Sequence, residues 1–198
     1  MNDKFFDLKR EKQDRIINAG LKIFARYGYR HATTDEIVKE AGISKGLLFH
    51  YFTNKVGIYV FLMDYSVRYL LLELSRSVKE TETDFFEICK QIEEGNANVL
   101  RVYPYMKVFL DKAFDELCPE ALQECEGQKE IYKEKMEKYY EQCKDYSFKN
   151  KGSFEKMKKM ITYLEKGIMS RNMAADTMQA EMMKEEYFEY IELLKGVF

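Results

Sequence analysis

Apolar residues recur every three or four positions along most of this chain, with polar residues between them. This spacing is typical of amphipathic helices that bury one face. No stretch alternates valine, isoleucine or threonine with polar residues between turn signals, as a half-buried strand would. The pattern therefore predicts an all-α fold of about nine helices.

The first predicted helix runs from about Lys9 to Tyr27, and Gly28 ends it. Its apolar residues follow helical spacing and form an inward stripe: Ile16, Gly20, Ile23, Phe24 and Tyr27.

Two short helices joined by a tight turn are predicted next, over residues 33–52. Thr33 and Glu36 have the spacing of a capping box, which starts a helix. Gly42 supplies the left-handed residue that ends this helix, and Ser44 is a natural N-cap for the following one. Residues 33–52 therefore form a candidate helix-turn-helix.

The second of these helices has an unusual outer face. Leu48 and Phe52 share one face, which is predicted to pack inward. A small residue and aromatic groups beside a lysine suit the DNA major groove, where an apolar group can meet a thymine methyl. The alternative is a helical hairpin that never touches nucleic acid. The outward residues are Lys45, Gly46, Leu47, Phe49, His50 and Tyr51.

The run RIINAGLKIFARYGYRHATTDEIVKEAGISKGLLFHYFTNK resembles the tetracycline-repressor (TetR) family of bacterial transcription regulators. The matching features are the alanine of the first helix, the Gly28 turn, the AG turn, SKG, the aromatic cluster and the final NK. The resemblance covers about residues 9–70, and beyond them it is one of architecture rather than motif.

The resemblance implies which residues touch DNA. It assigns phosphate contacts to Thr34, Ser44, Tyr51 and Lys55, and places Lys45, Gly46, Leu47 and His50 near base edges. Phe49 stands where the family commonly has tyrosine, so it is expected to pack. Leu47 replaces a polar residue and is expected to give apolar contact or none. Thr33 and Phe49 complete the predicted DNA-binding set.

Charge is distributed unevenly, although the whole chain has a net charge of only −2. Residues 1–55 contain eleven Lys or Arg against seven Asp or Glu, and the remainder contains 21 against 27. The basic part coincides with the helix-turn-helix, as phosphate binding requires. We therefore predict a DNA-binding domain over residues 1–55. For residues 56–198 the resemblance implies a helical effector-binding and dimerisation domain.

The last two predicted helices carry wide apolar faces. Such faces build either an intramolecular core or a two-fold four-helix dimer interface, and the resemblance implies the dimer. The residues predicted at this interface are Leu164, Ile168, Tyr187 and Ile191.

One polar residue, Asn96, interrupts an otherwise apolar helical stripe between Phe85 and Tyr103. A buried amide must find partners. Asn96 is therefore a candidate to line an effector pocket, and the alternative is that a neighbouring group satisfies it. The predicted apolar wall consists of Met63, Ile92, Met106, Phe109 and Leu110.

Other function classes find little support. The four cysteines lack the close pairs of a zinc or redox motif, and the two histidines cannot assemble a catalytic site. We predict no enzyme activity, no metal and no cofactor. The charged start has no signal-peptide core and the longest apolar stretch is too short to span a bilayer, so a cytoplasmic location is expected.

The leading hypothesis is a homodimeric repressor that binds double-stranded palindromic operator DNA and is released by a small lipophilic effector, without membrane contact. The alternatives are a ligand-independent, dimeric architectural DNA-binding protein and a small helical enzyme.

Overall fold

The computed structural model describes residues 3–148 and 154–198. Within those ranges the chain forms a short 3-10 helix, Asp3–Phe5, and nine α-helices, and it contains no strand. The prediction of an all-α fold is confirmed. The helices are α1 (Arg10–His31), α2 (Thr34–Ala41), α3 (Lys45–Phe52), α4 (Lys55–Ser77), α5 (Phe85–Val102), α6 (Met106–Phe114), α7 (Pro119–Glu141), α8 (Phe154–Ala175) and α9 (Ala180–Val197).

Helix α1 is longer than the sequence predicts. Gly28 has a left-handed φ of +70° and interrupts the helix at its predicted end, but the chain continues for one more turn to His31. Tyr29, after the interruption, is buried. Tyr27, before it, is predicted to point inward but is 46% exposed, so that part of the prediction is wrong.

The chain divides into two compact units. The first contains the residues up to Arg68 together with Tyr105–Ile131, and the second contains Tyr69–Pro104 together with the residues from Tyr132 onward. The first unit thus combines the helix-turn-helix with α6 and the beginning of α7. The predicted functional boundary after residue 55 stays a prediction.

An aromatic cluster forms part of the core of the first unit. The ring centroid of Tyr59 lies 4.9 Å from those of Phe24 and Tyr29, and 5.3 Å from that of Phe109. Aromatic contacts of this kind stabilise a core beyond the area that they bury. They join α1 and the beginning of α4 to α6.

In the second unit, α5 packs against α9, and α9 packs against α8. An ion pair reinforces the first contact, because the Lys195 ammonium on α9 lies 3.1 Å from Asp84 and 3.0 Å from Glu87 at the start of α5. The hydrogen bond from Lys195 lowers the pKa of the Glu87 carboxyl.

Three of the four residues predicted at the dimer interface lie inside the second unit. Ile168, Tyr187 and Ile191 are 6%, 3% and 0% exposed, and Leu164 is half-buried. The structure contradicts the reason for this assignment, because side chains already covered by their own chain leave no apolar surface for a second chain to cover. The intramolecular alternative describes these three residues.

Candidate nucleic-acid interface

Helix α2 begins with the predicted capping box. The Thr33 hydroxyl accepts a hydrogen bond from the Glu36 amide at 3.2 Å, and the Glu36 carboxylate accepts one from the Thr33 amide at 3.0 Å. The helix ends at Gly42, whose φ of +62° lies in the left-handed region. Local sequence therefore fixes both ends of α2.

Helix α3 also forms as predicted. The Ser44 hydroxyl accepts a hydrogen bond from the Leu47 amide at 3.2 Å, which caps the helix. Leu48 and Phe52 are 1% and 5% exposed, so they anchor the inner face. The predicted contact residues occupy the rest of the surface: Lys45, Gly46 and His50 are exposed, and Leu47, Phe49 and Tyr51 are partly exposed.

The fold of the chain does not require a glycine at position 46. A Cβ built on it would meet no atom within 4 Å, and its φ is not left-handed. A glycine inside a helix costs about 0.5–1 kcal/mol relative to alanine. The open space beside Gly46 would allow the backbone of another molecule to approach α3 closely.

The Lys45 ammonium lies 2.8 Å from a carboxylate oxygen of Asp35 on α2. The Lys45 side chain is 49% exposed and the Asp35 side chain 71% exposed. Exposed ion pairs of this kind contribute about 0–1 kcal/mol. The ammonium can therefore leave Asp35 for a phosphate at little cost.

Lys55 is held in a way that the sequence does not reveal. Its ammonium donates to the backbone carbonyls of Tyr29 at 2.9 Å and Ala32 at 3.3 Å, and lies 4.4 Å from the centre of the Tyr29 ring. It thereby ties the start of α4 to the end of α1. The predicted phosphate contact of Lys55 stays a prediction, as does that of half-buried Thr34.

Tyr29 also joins the end of α1 to the start of α7. Its hydroxyl donates to the Glu120 carboxylate at 2.6 Å, and its amide donates to Glu116 at 3.2 Å. Burial and the contact with Glu120 raise the pKa of the Tyr29 hydroxyl well above its usual value. Tyr29 therefore stays protonated and keeps donating across the physiological pH range.

The turn from α3 to α4 is tight. The Asn54 amide donates to the Phe52 carbonyl at 2.6 Å across Thr53, whose φ of +65° is unusual for a β-branched residue. A Cβ on Gly57 would overlap the same carbonyl oxygen, so only glycine fits there. This turn sets the angle between α3 and α4.

A groove of about 720 Å³ runs beside the end of α3 in the first unit. His50 and Tyr51 border it on one side, and Glu124 and Gln128 of α7 border it on the other. The Gln128 amide donates to Asp64 at 2.8 Å within the lining. The groove adjoins two of the predicted DNA contacts.

Sequence reasoning missed the segment before α1. Phe5 is 1% exposed, and its ring lies 5.7 Å from that of Tyr51. A run of two phenylalanines in a charged segment, FF at residues 5 and 6, is the signal that could have found it.

The predicted effector-pocket residues are divided between the units. Ile92 and Asn96 belong to the second unit, and Met63, Met106, Phe109 and Leu110 belong to the first. All six are buried. The Asn96 amide donates to Glu93 at 3.1 Å and to Glu165 at 3.0 Å, so two carboxylates satisfy it.

The cysteines and the acidic side chains are the remaining candidates for redox or metal chemistry. All four cysteines are free, and burial raises the pKa of Cys125 and of Cys143 to about 11. Residues 3–148 and 154–198 contain no group of three or more metal-ligating side chains placed to hold a metal ion. None of their helices is long and apolar enough to cross a membrane.

Comparison with known proteins identifies the N-terminal helices. Residues 16–60, from α1 to the start of α4, match the family model described as bacterial regulatory proteins, tetR family. This N-terminal segment is similar to the TetR family. The chain is 31% identical over 75 residues to a curated relative, the fatty acid metabolism regulator protein of Bacillus subtilis strain 168. That alignment covers 38% of this chain and 39% of the relative, so the chain matches less than half of the relative's length.

Solved TetR structures share the fold over nearly the whole chain. The TetR regulator PfmR from Thermus thermophilus has a TM-score of 0.64 at 15% identity, covering 93% of this chain and 95% of PfmR. FadR from Bacillus subtilis, solved in complex with stearoyl-CoA, has a TM-score of 0.56 at 16% identity, covering 93% and 98%. The larger helical region of the chain therefore shares the fold of these TetR structures as well.

Proposed function

We propose that the chain is a transcriptional regulator that binds duplex DNA through α3. The observation that carries this proposal is the outer face of α3, which presents Lys45, Gly46 and His50 to solvent. No atom would contact a Cβ at Gly46. The helix is capped by Ser44 and its inner face is buried. A helix presented in this way fits the major groove. The excess of four basic residues in residues 1–55 supplies the attraction to phosphate.

The test is a gel-shift and fluorescence-anisotropy titration with the DNA upstream of the protein's own coding sequence. A duplex enriched by the protein from a random-sequence library serves as a second probe. We expect saturable binding that outlasts competitor DNA and weakens as salt rises. Failure to retain either duplex at low salt would overturn the proposal.

The proposed active form is a homodimer. Exposed apolar side chains lie along α8 and α9, including Tyr163 at 71% and Leu193 at 66% exposure. On α9, Met182, Tyr190, Leu193 and Val197 share one face by helical spacing. A second copy would cover this face. Two recognition helices would then read half-sites of a palindrome about 34–36 Å apart.

We further propose that the protein is a repressor, which a lipophilic effector releases from its operator. The effector must bind the DNA-free state more tightly, because a ligand with equal affinity for both states shifts nothing. The stearoyl-CoA seen in FadR makes acyl-CoA the first class to test. The effector-pocket residues named from the sequence stay a prediction.

Acyl-CoAs of graded chain length should be titrated into the protein–DNA complex, with free coenzyme A as control. Release that depends on chain length would support an acyl effector. No release by these or other lipophilic compounds would favour the ligand-independent architectural alternative. We propose, together with this role, that the chain has no enzymatic activity and acts in the cytoplasm.

A further inference from the structure

We infer that Phe5 positions Tyr51, and with it the DNA-facing end of α3. Phe5 lies in the N-terminal hook, which we define as residues 4–8. The hook precedes both the residues that match the family model and the stretch that resembles the family in sequence. The inference rests on the proposed DNA-binding function, because it assigns the hook a part in presenting α3 to the duplex.

Phe5 is the centre of a ring cluster behind α3. Its centroid lies 5.7 Å from Tyr51, 5.2 Å from Phe52 and 5.0 Å from Phe61. The rings of Phe5 and Tyr51 meet edge to face at 77°. Edge-to-face contact is a favoured geometry, and it restricts where the Tyr51 ring can turn.

The hook is tied to α1 by its backbone. The side-chain amide of Gln13, which is 7% exposed, donates to the carbonyls of Phe6 at 3.0 Å and Leu8 at 2.7 Å. The Leu8 amide also donates to the Phe5 carbonyl at 3.3 Å. Phe5 therefore reaches the cluster from a segment whose backbone is held against α1.

Helix α3 has only eight residues, and helices of this length depend on tertiary contacts for their stability. Its inner face is held by Leu48 and Phe52, but Tyr51 lies at the edge of that face. Without Phe5 the Tyr51 ring would have more freedom, and DNA binding would have to order it. Phe5 supplies this order before DNA arrives.

The experiment compares Phe5→Ala with Phe6→Ala in the full-length protein, using the library-enriched duplex as probe. Phe6 is the matched control, because it lies in the same hook but is 44% exposed. We expect Phe5→Ala to weaken binding about five- to tenfold, as ordering one ring in each protomer requires. Phe6→Ala should change binding less than about twofold, a difference too small to reflect an ordering cost. Thermal melts establish that both variants are folded at the assay temperature.

A double-mutant cycle with Tyr51→Phe separates positioning from general destabilisation. If Phe5 acts through Tyr51, removing the Tyr51 hydroxyl should matter much less in the Phe5→Ala background than in the wild type. Additive losses, or unchanged affinity of Phe5→Ala, would overturn the inference.

Gln13→Ala provides a second route, since it loosens the hook and keeps the Phe5 ring. It should weaken binding and show the same non-additivity with Tyr51→Phe, and additive behaviour would count against the inference. These outcomes differ from a failure of the proposed function, in which the wild-type protein itself retains no DNA.

Discussion

At the scale of single residues, the charge on Lys45 gives the sharpest test of the α3 surface. Lys45→Ala should weaken DNA binding and reduce the slope of log affinity against log salt by about 0.9 for each lysine that neutralises a phosphate. The fold should be unaffected, because the exposed Lys45–Asp35 pair contributes little. Anisotropy titrations over a range of salt concentrations measure both quantities.

The partner of Lys45 supplies a control of opposite sign. Asp35→Asn removes the negative charge that competes with phosphate for the ammonium, so it should strengthen DNA binding. If Lys45→Ala bound as tightly as the wild type at every salt concentration, Lys45 would not contact phosphate.

Two glycines should respond in opposite ways to the addition of one methyl group. Gly46→Ala should raise the free energy of unfolding by about 0.5–1 kcal/mol, because its Cβ meets nothing, yet it should weaken DNA binding. Gly57→Ala should lower that free energy by about 1–3 kcal/mol, because its Cβ would overlap the Phe52 carbonyl. Denaturant unfolding and anisotropy measure the two effects.

Gly127→Ala is the control for this comparison. Gly127 lies on α7, where a Cβ also meets no atom within 4 Å, so alanine should stabilise the protein without changing DNA affinity. Tight DNA binding by Gly46→Ala would mean that no backbone approaches α3 at this position.

At the scale of helices and turns, the sequence predicts those features that depend on neighbours in the chain. The caps at Thr33 and Ser44 each involve partners within three residues, and both form as expected. The bond between Tyr29 and Glu120 joins residues 91 positions apart, and periodicity carries no information about such a pair.

The candidate DNA-binding site shows the same difference between local features, which the sequence predicts, and long-range contacts, which it does not. Its outer face follows from the spacing of α3, whereas the ties of Lys55 to the end of α1 depend on tertiary packing. For the same reason the apolar stripes of α8 and α9 predict that one face of each helix is buried. They do not predict whether a given residue packs against its own chain or against a second chain.

The turn between α3 and α4 stores strain that can be removed. Thr53→Gly should raise the free energy of unfolding by about 1 kcal/mol, since a strained φ costs about 1–3 kcal/mol and glycine gives back part of this through a more flexible unfolded chain. Thr83→Gly, at a threonine without a positive φ, should instead lower stability. Chemical denaturation compares the two variants. A loss of stability in Thr53→Gly would show that the turn is unstrained.

At the scale of the whole molecule, burial separates two kinds of apolar position on α9. Ile191 is 0% exposed and Leu193, two residues later, is 66% exposed. A charge at the first position enters the core of the second unit, and a charge at the second meets water or a partner chain. The same substitution therefore tests folding at one site and association at the other.

We expect Leu193→Glu to give a folded monomer that binds DNA weakly, because a palindrome needs two linked recognition helices. Tyr163→Glu on α8 should act in the same way, whereas Ile191→Glu should unfold the protein. Leu117→Glu is the matched control, since this leucine is 85% exposed and lies outside α8 and α9, so the variant should remain dimeric. Sedimentation velocity at micromolar concentration gives the mass, and circular dichroism reports folding. A wild-type mass of one chain under conditions in which DNA is bound would rule out the dimer and the palindromic operator together.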